Sequence, residues 1–281
     1  MRDIILEARN LSYSYEDSSS SALNGLSLSV TRGSKIAVMG ANGSGKSTFF
    51  LCCNGILKPD QGELLFKGQP VSYSKKNLLE LRSKVGIVFQ NPDTQLFCAS
   101  VYQEISFGPL NLGIPEKEAA EAVENIIETL EITDFRHRPA HALSGGQKKQ
   151  VALADILVMK PEIMILDEPF AALDPVHTRI IRQQIDKMCT SGMTVLLATH
   201  NTDYALEWAD EVILLKNGRV LSQDRPDKVL TDEKLLKETN LELPSVIRLH
   251  KFLCSRGIAD PSLPVPRNMD ELEKELLDVR S

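Results

Sequence analysis

Apolar residues recur along this chain in two rhythms. Short runs that are almost wholly apolar, at 36–39, 85–89, 163–166, 194–198 and 212–215, are each bounded by polar or turn-forming residues. Runs of that length suit strands buried on both faces of a sheet. Between them lie longer segments with helical spacing. In 116–130, Ala119, Ala122, Val123, Ile126, Ile127 and Leu130 share one face, and Pro115 suits the first turn. Helical patterns also cover 48–53, 77–83, 151–159 and 176–189. Leu26-Ser27-Leu28-Ser29-Val30 alternates as a half-buried strand does; 4–15 alternates more loosely, and 63–66 is a short strand. Turns are expected at 16–21, 31–33, 58–62 and 68–70, and Asn217-Gly218 closes a hairpin between 212–215 and 219–222. Strands alternating with helices predict an α/β fold: a mostly parallel sheet covered on both faces, preceded by two or three antiparallel strands.

Two stretches depart from this rhythm. Residues 94–113 set Gln95, Leu96, Phe97, Phe107 and Leu110 among Pro109, Gly108 and Gly113, an apolar but loop-rich texture that fits either an internal helical core or a docking surface. From about residue 231 prolines gather at 244, 261, 264 and 266, flanked by amphipathic segments at 246–253 and 269–279. We therefore divide the chain into 1–230 and a small C-terminal helical module, 231–281.

Composition narrows the classes of function. A net charge of −6 over 281 residues leaves no basic footprint for nucleic acid or anionic lipid. No apolar run approaches the roughly 18 residues of a membrane span, and the N-terminus is too soon charged for a signal peptide. The cysteines at 52, 53, 98, 189 and 254 lack CxxC spacing, as expected for reduced thiols in a cytosolic protein; Cys52 and Cys53 read as small packing residues.

The chemistry gathers at strand ends. The run 36–39 leads into Gly40-Ala41-Asn42-Gly43-Ser44-Gly45-Lys46-Ser47, and Thr48 opens a helical segment. Glycines let backbone N–H groups turn inward, and with the positive end of the helix they form a nest for phosphate oxygens. In the spacing G-x-x-x-x-G-K-S the lysine reaches the outer phosphates and the serine hydroxyl reaches Mg²⁺. Tyr15 is either a strand aromatic packed on the core or a stacking platform for a purine. Gln90, after 85–89, is either a turn residue or a ligand contact at a strand's C-terminal end. Leu143-Ser144-Gly145-Gly146-Gln147 begins another helix, with Ser144 and Gln147 spaced as a capping box; it is a capped terminus or a second phosphate site. Asp167 and Glu168 follow 163–166, fit for Mg²⁺ coordination by one and water activation by the other. His200 follows 194–198. His137 and His141 have the spacing of a helical metal pair, but Pro139 between them opposes a helix.

These pieces, in this order, resemble the ATP-binding-cassette (ABC) ATPases over roughly residues 1–225. Residues 40–47 match the Walker A loop, Gln90 the Q-loop, 143–147 the LSGGQ signature, 163–168 Walker B with its following glutamate, Ala172-Leu173-Asp174 the D-loop and His200 the switch histidine. The resemblance implies a P-loop fold with an N-terminal antiparallel β subdomain and a helical subdomain inserted at about 91–160. It implies ATP and Mg²⁺ as ligands, with Tyr15 stacking on adenine and Gly40, Asn42, Gly43, Ser44, Gly45, Lys46, Ser47 and Thr48 holding the phosphates. Ser47, Gln90 and Asp167 would hold the metal; Glu168, His200 and Gln90 would serve the reaction. Two subunits, identical or paralogous, would face each other head to tail, with Ser144, Gly145, Gly146 and Gln147 of one completing the site of the other.

A finer similarity lies in 89–97 and 104–112, which look like the ATPases of energy-coupling-factor (ECF) importers. It implies a transmembrane coupling component docking near 90–112, a substrate-specific membrane component reached indirectly, and a peripheral place on the cytoplasmic face of the membrane. Residues 239–244 are similar to cobalt-importer ATPases, so cobalt is the expected substrate, with nickel or a vitamin as alternatives. A non-transport ABC ATPase would carry a long coiled-coil insertion or paired cassettes, and a small-molecule kinase would not explain 143–147. Gln150 departs from the family, which usually has Arg there; a phosphate-proximal or helix-surface charge is expected to be weakened.

Overall fold

The structure, a computed structural model, describes residues 3–16 and 20–278. Residues 17–19 of the expected turn at 16–21, and Val279 at the end of the last amphipathic segment, lie outside the described residues.

The chain opens with β1 (Ile4–Tyr13) and β2 (Leu23–Thr31), an antiparallel pair. The next strand, β3 (Lys35–Met39), leaves them and enters a second sheet. After the glycine loop come α1 (Lys46–Cys53), β4 (Gln61–Phe66) and β5 (Gln69–Pro70). The first sheet is thus four-stranded, in the order β2-β1-β4-β5. Gln61, Gly62, Gln69 and Pro70, expected in turns, are ladder residues instead. Gly62 fits because its φ is +81° and a Cβ there would lie 2.3 Å from Asn10 O.

The chain continues through α2 (Lys75–Lys84), β6 (Val85–Val88), α3 (Val101–Asn111), α4 (Glu116–Thr129) and α5 (Gly145–Leu157). Then follow β7 (Ile163–Asp167), α6 (Pro175–Thr190), β8 (Thr194–Ala198), α7 (Thr202–Trp208), β9 (Glu211–Lys216) and β10 (Arg219–Asp224). The second sheet runs β10-β9-β3-β8-β7-β6, parallel throughout except for β10 on β9. Asn217 (φ 49°) and Gly218 (φ 72°) make the expected tight turn of that last hairpin.

The uniform apolarity of these strands follows from their surroundings. Ile36 and Val38 of β3, with Ile163 and Ile165 of β7, point into one core, shared with Phe49 and Phe50 of α1 and with the antiparallel sheet. Ala37, Met39, Met164 and Leu166 point into the other, shared with α3, α4, α5 and α6. Every parallel strand therefore ends, at its C-terminal edge, between two packed layers.

The loop-rich texture of 94–113 resolves largely into a helix. Ser100 caps α3 by accepting from Gln103 N, and Pro109 falls in its last turn, where its missing N–H removes only the bond to Ile105 O. Val101 and Ile105 are fully buried, whereas Phe97, Phe107 and Leu110 stand exposed on the other side. The stretch supplies both core and surface.

Beyond β10 lie α8 (Pro226–Val229), α9 (Glu233–Glu238), α10 (Ser245–Ser255) and α11 (Met269–Asp278). Val246, Ile247 and Leu272 join the second core, and Arg267 Nε donates to Leu206 O of α7 at 2.8 Å. Among the described residues no helix is long and apolar enough to cross a membrane.

Candidate functional site

The site begins where β3 stops. The loop after Met39 turns through Gly40 (φ 145°), Gly43 (φ 77°) and Gly45 (φ 106°) before α1 starts at Lys46. Two of these glycines have no room for a side chain. A Cβ on Gly40 would lie 2.2 Å from Leu215 O, and one on Gly45 would lie 2.7 Å from Ala22 O. Gly45 caps α1 without a side chain, and the first turn of the helix has no acidic residue, so its N–H groups are left for a ligand. Lys46 is buried, and its Nζ donates to Gly40 O at 2.7 Å and Ala41 O at 3.2 Å. Ser44 Oγ is buried with no hydrogen-bond partner, an orphan that a phosphate oxygen would satisfy.

Three other strand ends converge on this loop. Gln90 is exposed two residues past β6. Asp167, mostly buried, closes β7, and Glu168 follows it with an unusual φ of 45°. His200 lies just past β8, its Nε2 3.2 Å from Glu168 Oε1. Burial pushes the Glu168 carboxyl up to about 7; neighbouring Asp167 adds to the rise, and Lys46 and Lys149 oppose it. Burial, and then Lys46, hold the His200 imidazole below its ordinary value. Glu168 is therefore poised to take a proton near neutral pH beside a neutral histidine.

Tyr15 lies two residues beyond β1, outside the core. It is 43% exposed, packs edge-to-face on Tyr13 at 5.0 Å, and shares a 3.2 Å hydrogen bond with Thr48 Oγ1. One cleft of about 470 Å³ is lined by Tyr15, Asn42, Gly43, Ser44, Gly45, Lys46, Ser47, Thr48, Gln90, Asp167, Glu168 and His200. Gly40 shapes the loop from behind. The oxygen donors of Ser47, Gln90 and Asp167 around this cleft suit a hard divalent cation.

The second glycine-bearing helix end does not line this cleft. Ser144 Oγ accepts from Gln147 N at 3.3 Å and Gln147 Oε1 accepts from Ser144 N at 3.0 Å, a complete capping box at the start of α5. Ser144 and Gly145 are exposed. Gly146 is buried against His177 of α6; a Cβ there would lie 2.0 Å from the ring. His177 Nδ1 lies 2.6 Å from Asp174 Oδ2, and Asp174 caps α6 by accepting from the Val176 and His177 amides. Those bonds, His177's first, hold the Asp174 carboxyl below its ordinary range.

Two neighbouring side chains of α5 change the picture drawn from sequence. Gln150 is neither beside the phosphate loop nor on the helix surface. It is buried and its Nε2 donates to Leu130 O at 3.3 Å, closing the C-terminal end of α4. Lys149, which the sequence reading passed over, is 3% exposed, and its Nζ donates to Phe89 O at 3.0 Å and to Gln90 O at 2.6 Å. Burial pushes its ammonium down to about 8 against the pull of Asp167 and Glu168. The signal that could have found it is a lysine on an apolar helix face, three and four residues before Ala152 and Leu153.

Away from the cleft, Phe97 and Phe107 meet edge-to-face at 4.9 Å and border two surface grooves of about 970 and 360 Å³. Asp155 lines the smaller one; burial pushes its carboxyl up to about 7.

Comparison with known proteins places this architecture. Residues 23–171 match the family model described as ABC transporter. The chain is 42% identical over 249 residues to the energy-coupling factor transporter ATP-binding protein EcfA of Methanocaldococcus jannaschii, covering 89% of each. It is 43% identical over 256 residues to a longer ABC transporter ATP-binding protein of Methanosarcina mazei, and spans only 56% of that protein's length. Among solved structures, cbiO1 of Clostridium perfringens, described as part of the ABC transporter complex cbiONQ, superposes with a TM-score of 0.74 at 43% identity, over 89% of this chain and 99% of the other.

Proposed function

The chain belongs to the ABC transporter family of ATP-hydrolysing cassettes, and from that premise we propose that it is the ATPase subunit of an energy-coupling-factor importer, acting on the cytoplasmic face of the membrane. The observation that carries the reading is the convergence of a phosphate loop, Asp167, Glu168 and His200 on one cleft, while the capped end of α5 lies outside it. The triphosphate lies over the N–H groups of 43–48, with Ser44 Oγ and the Lys46 ammonium turned onto its oxygens and Tyr15 against the base. Ser47, Asp167 and Gln90 would hold Mg²⁺, whose charge offsets that of the β- and γ-phosphates. Glu168 orients the attacking water and takes its proton; His200 and Gln90 contact the γ-phosphate.

One cleft is half of the working site. A second copy, or a paralogue, brings Ser144, Gly145, Gly146 and Gln147 onto the γ-phosphate from the opposite side and excludes water. The exposed Phe97, Phe107 and Leu110 face a transmembrane coupling component, through which a substrate-specific component is reached. Cobalt is the substrate this reading favours, on the similarity of 239–244 to cobalt-importer ATPases and on the likeness to a member of cbiONQ; nickel or a vitamin would use the same ATPase.

The test is ATP-driven assembly. With Mg-ATP, Glu168→Gln is expected to run as a dimer on size exclusion and to retain unhydrolysed ATP. A monomer at saturating ATP overturns the two-subunit site. Uptake of labelled cobalt, nickel or vitamin into vesicles carrying the chain and its membrane components decides the substrate.

A further inference from the structure

Past Val88, which pairs with Leu166, the β6 ladder ends, and the backbone that carries Gln90 must find partners elsewhere. It finds them on α5. Lys149 Nζ takes both carbonyls that flank the Gln90 Cα, those of Phe89 and of Gln90 itself. A compact ammonium has three donors and can serve two acceptors at once, with charge strengthening both bonds. A second tether lies one turn further along. Phe89 N donates to Gln95 Oε1 at 3.3 Å, and Gln95 Nε2 donates to Ala152 O and Asp155 Oδ2, each at 3.2 Å. A third is exposed: Lys148 Nζ donates to Asp93 Oδ1 at 2.6 Å.

We infer that Lys149 is a positioning residue for Gln90, locking the glutamine's backbone to the same helix whose N-terminus carries Ser144 and Gly145. Lys149 stands four residues into that helix, so the end that meets the opposing subunit's nucleotide and the glutamine that meets the subunit's own nucleotide are parts of one body. One residue along an α-helix turns about 100°. Lys149 therefore points at the Gln90 segment while Gln150 points at the end of α4, and the two cannot exchange roles.

The inference rests on the proposed contact of Gln90 with the γ-phosphate, and the test separates the two. Steady-state Mg-ATP hydrolysis is measured on the full chain for Lys149→Met, which keeps the length and removes the donors, for Lys149→Arg, for Gln90→Ala and for Lys149→Met with Gln90→Ala. Lys149→Met is expected to lower kcat about tenfold with the KM for ATP within about twofold, Lys149→Arg to recover most of the loss, and the double variant to be no worse than the poorer single one. Amides 89–91 exchange faster with deuterium in Lys149→Met, while 143–148 do not. Wild-type kcat in Lys149→Met, or additive losses in the double variant, overturns the inference. An unimpaired Gln90→Ala overturns the underlying role of the glutamine instead. If Lys149→Met does not fold, Lys149→Gln, which keeps a neutral donor, is expected at an intermediate kcat, and wild-type kcat there has the same consequence.

Discussion

Replacing Glu168 by glutamine should make the protein slower and more stable at once. The carboxyl's ordinary value is 4.5 and burial raises it to about 7. The folded state therefore binds a proton that the unfolded chain has already lost over that window. Stability is fully present below about 4.5, falls as the pH rises toward 7, and stays reduced above it. The gap corresponds to about 3 kcal/mol at pH 8 and above, an order-of-magnitude figure. Glutamine keeps the shape and carries no charge, so Glu168→Gln should regain much of it: a Tm about 5 °C above wild type at pH 8.5 for a chain of 281 residues. At pH 5 the two should nearly coincide. Activity should go the other way, with a loss of about 10²–10⁴ in kcat from removing a general base. In the wild type, kcat/KM reports the free enzyme; it should rise with unit slope up to about pH 7 and stand near one tenth of its plateau at pH 6. Burial, and then Lys46, hold His200 below its own ordinary value. Thermal melts at the two pH values and a pH–rate series settle the matter. A Tm difference that does not grow with pH, or an acid limb unchanged by Glu168→Gln, refutes the assignment of a buried, neutral-pH base.

Gly40→Ala sets a Cβ 2.2 Å from Leu215 O at a φ of 145° and should cost several kcal/mol and abolish nucleotide binding; near-normal chemical denaturation would show that the loop yields. Phe107→Asp, on the 46%-exposed ring beside Phe97, should leave ATP hydrolysis by the isolated subunit within about twofold while co-purification with the membrane components is lost; intact co-purification refutes the docking face. Gly146→Ala forces α5 against the His177 ring and should abolish ATP-driven dimerisation while the monomer's ATP affinity, measured by calorimetry, changes less than about threefold; equal loss of monomer affinity would place the α5 terminus in its own subunit's cleft.

What was legible in the sequence is what a few consecutive residues dictate. The phosphate loop, the capping box at Ser144 and the Asn217-Gly218 turn are local backbone solutions, and each stands where its residues place it. The buried strands were legible because both faces of the parallel sheet are covered, which leaves no polar position in the run. What was not legible depends on a partner far along the chain. Gln61 and Gly62 look like a turn until Ser12 and the Asn10 carbonyl lie beside them. Pro109 marks a loop until α3 forms around it, with the lost bond to Ile105 O confined to the helix's last turn. The partners of Lys149 and Gln150 were not legible in sequence, because they depend on which residues α4 and β6 bring to either side of α5.

The two glycine-bearing helix ends differ in a way that favours the proposed two-subunit site. At α1 the first turn has neither a side-chain cap nor an acid, its loop leaves Ser44 Oγ unpartnered, and the adjoining cleft is lined by the carboxylates of Asp167 and Glu168. At α5 the same class of terminus is already closed on itself through Ser144 and Gln147, is exposed, and is held by Gly146 against His177 and Asp174 of its own subunit. A terminus satisfied locally has little to gain from attracting a ligand alone, but Gly145 offers an open backbone to whatever is brought to it. In the proposed dimer, closure would therefore be driven by what the other side presents: a triphosphate already seated on α1 of the opposing chain. On the proposed two-subunit site, nucleotide would bind first and the dimer would form second, with proton transfer to Glu168 only when both helix ends face the same γ-phosphate.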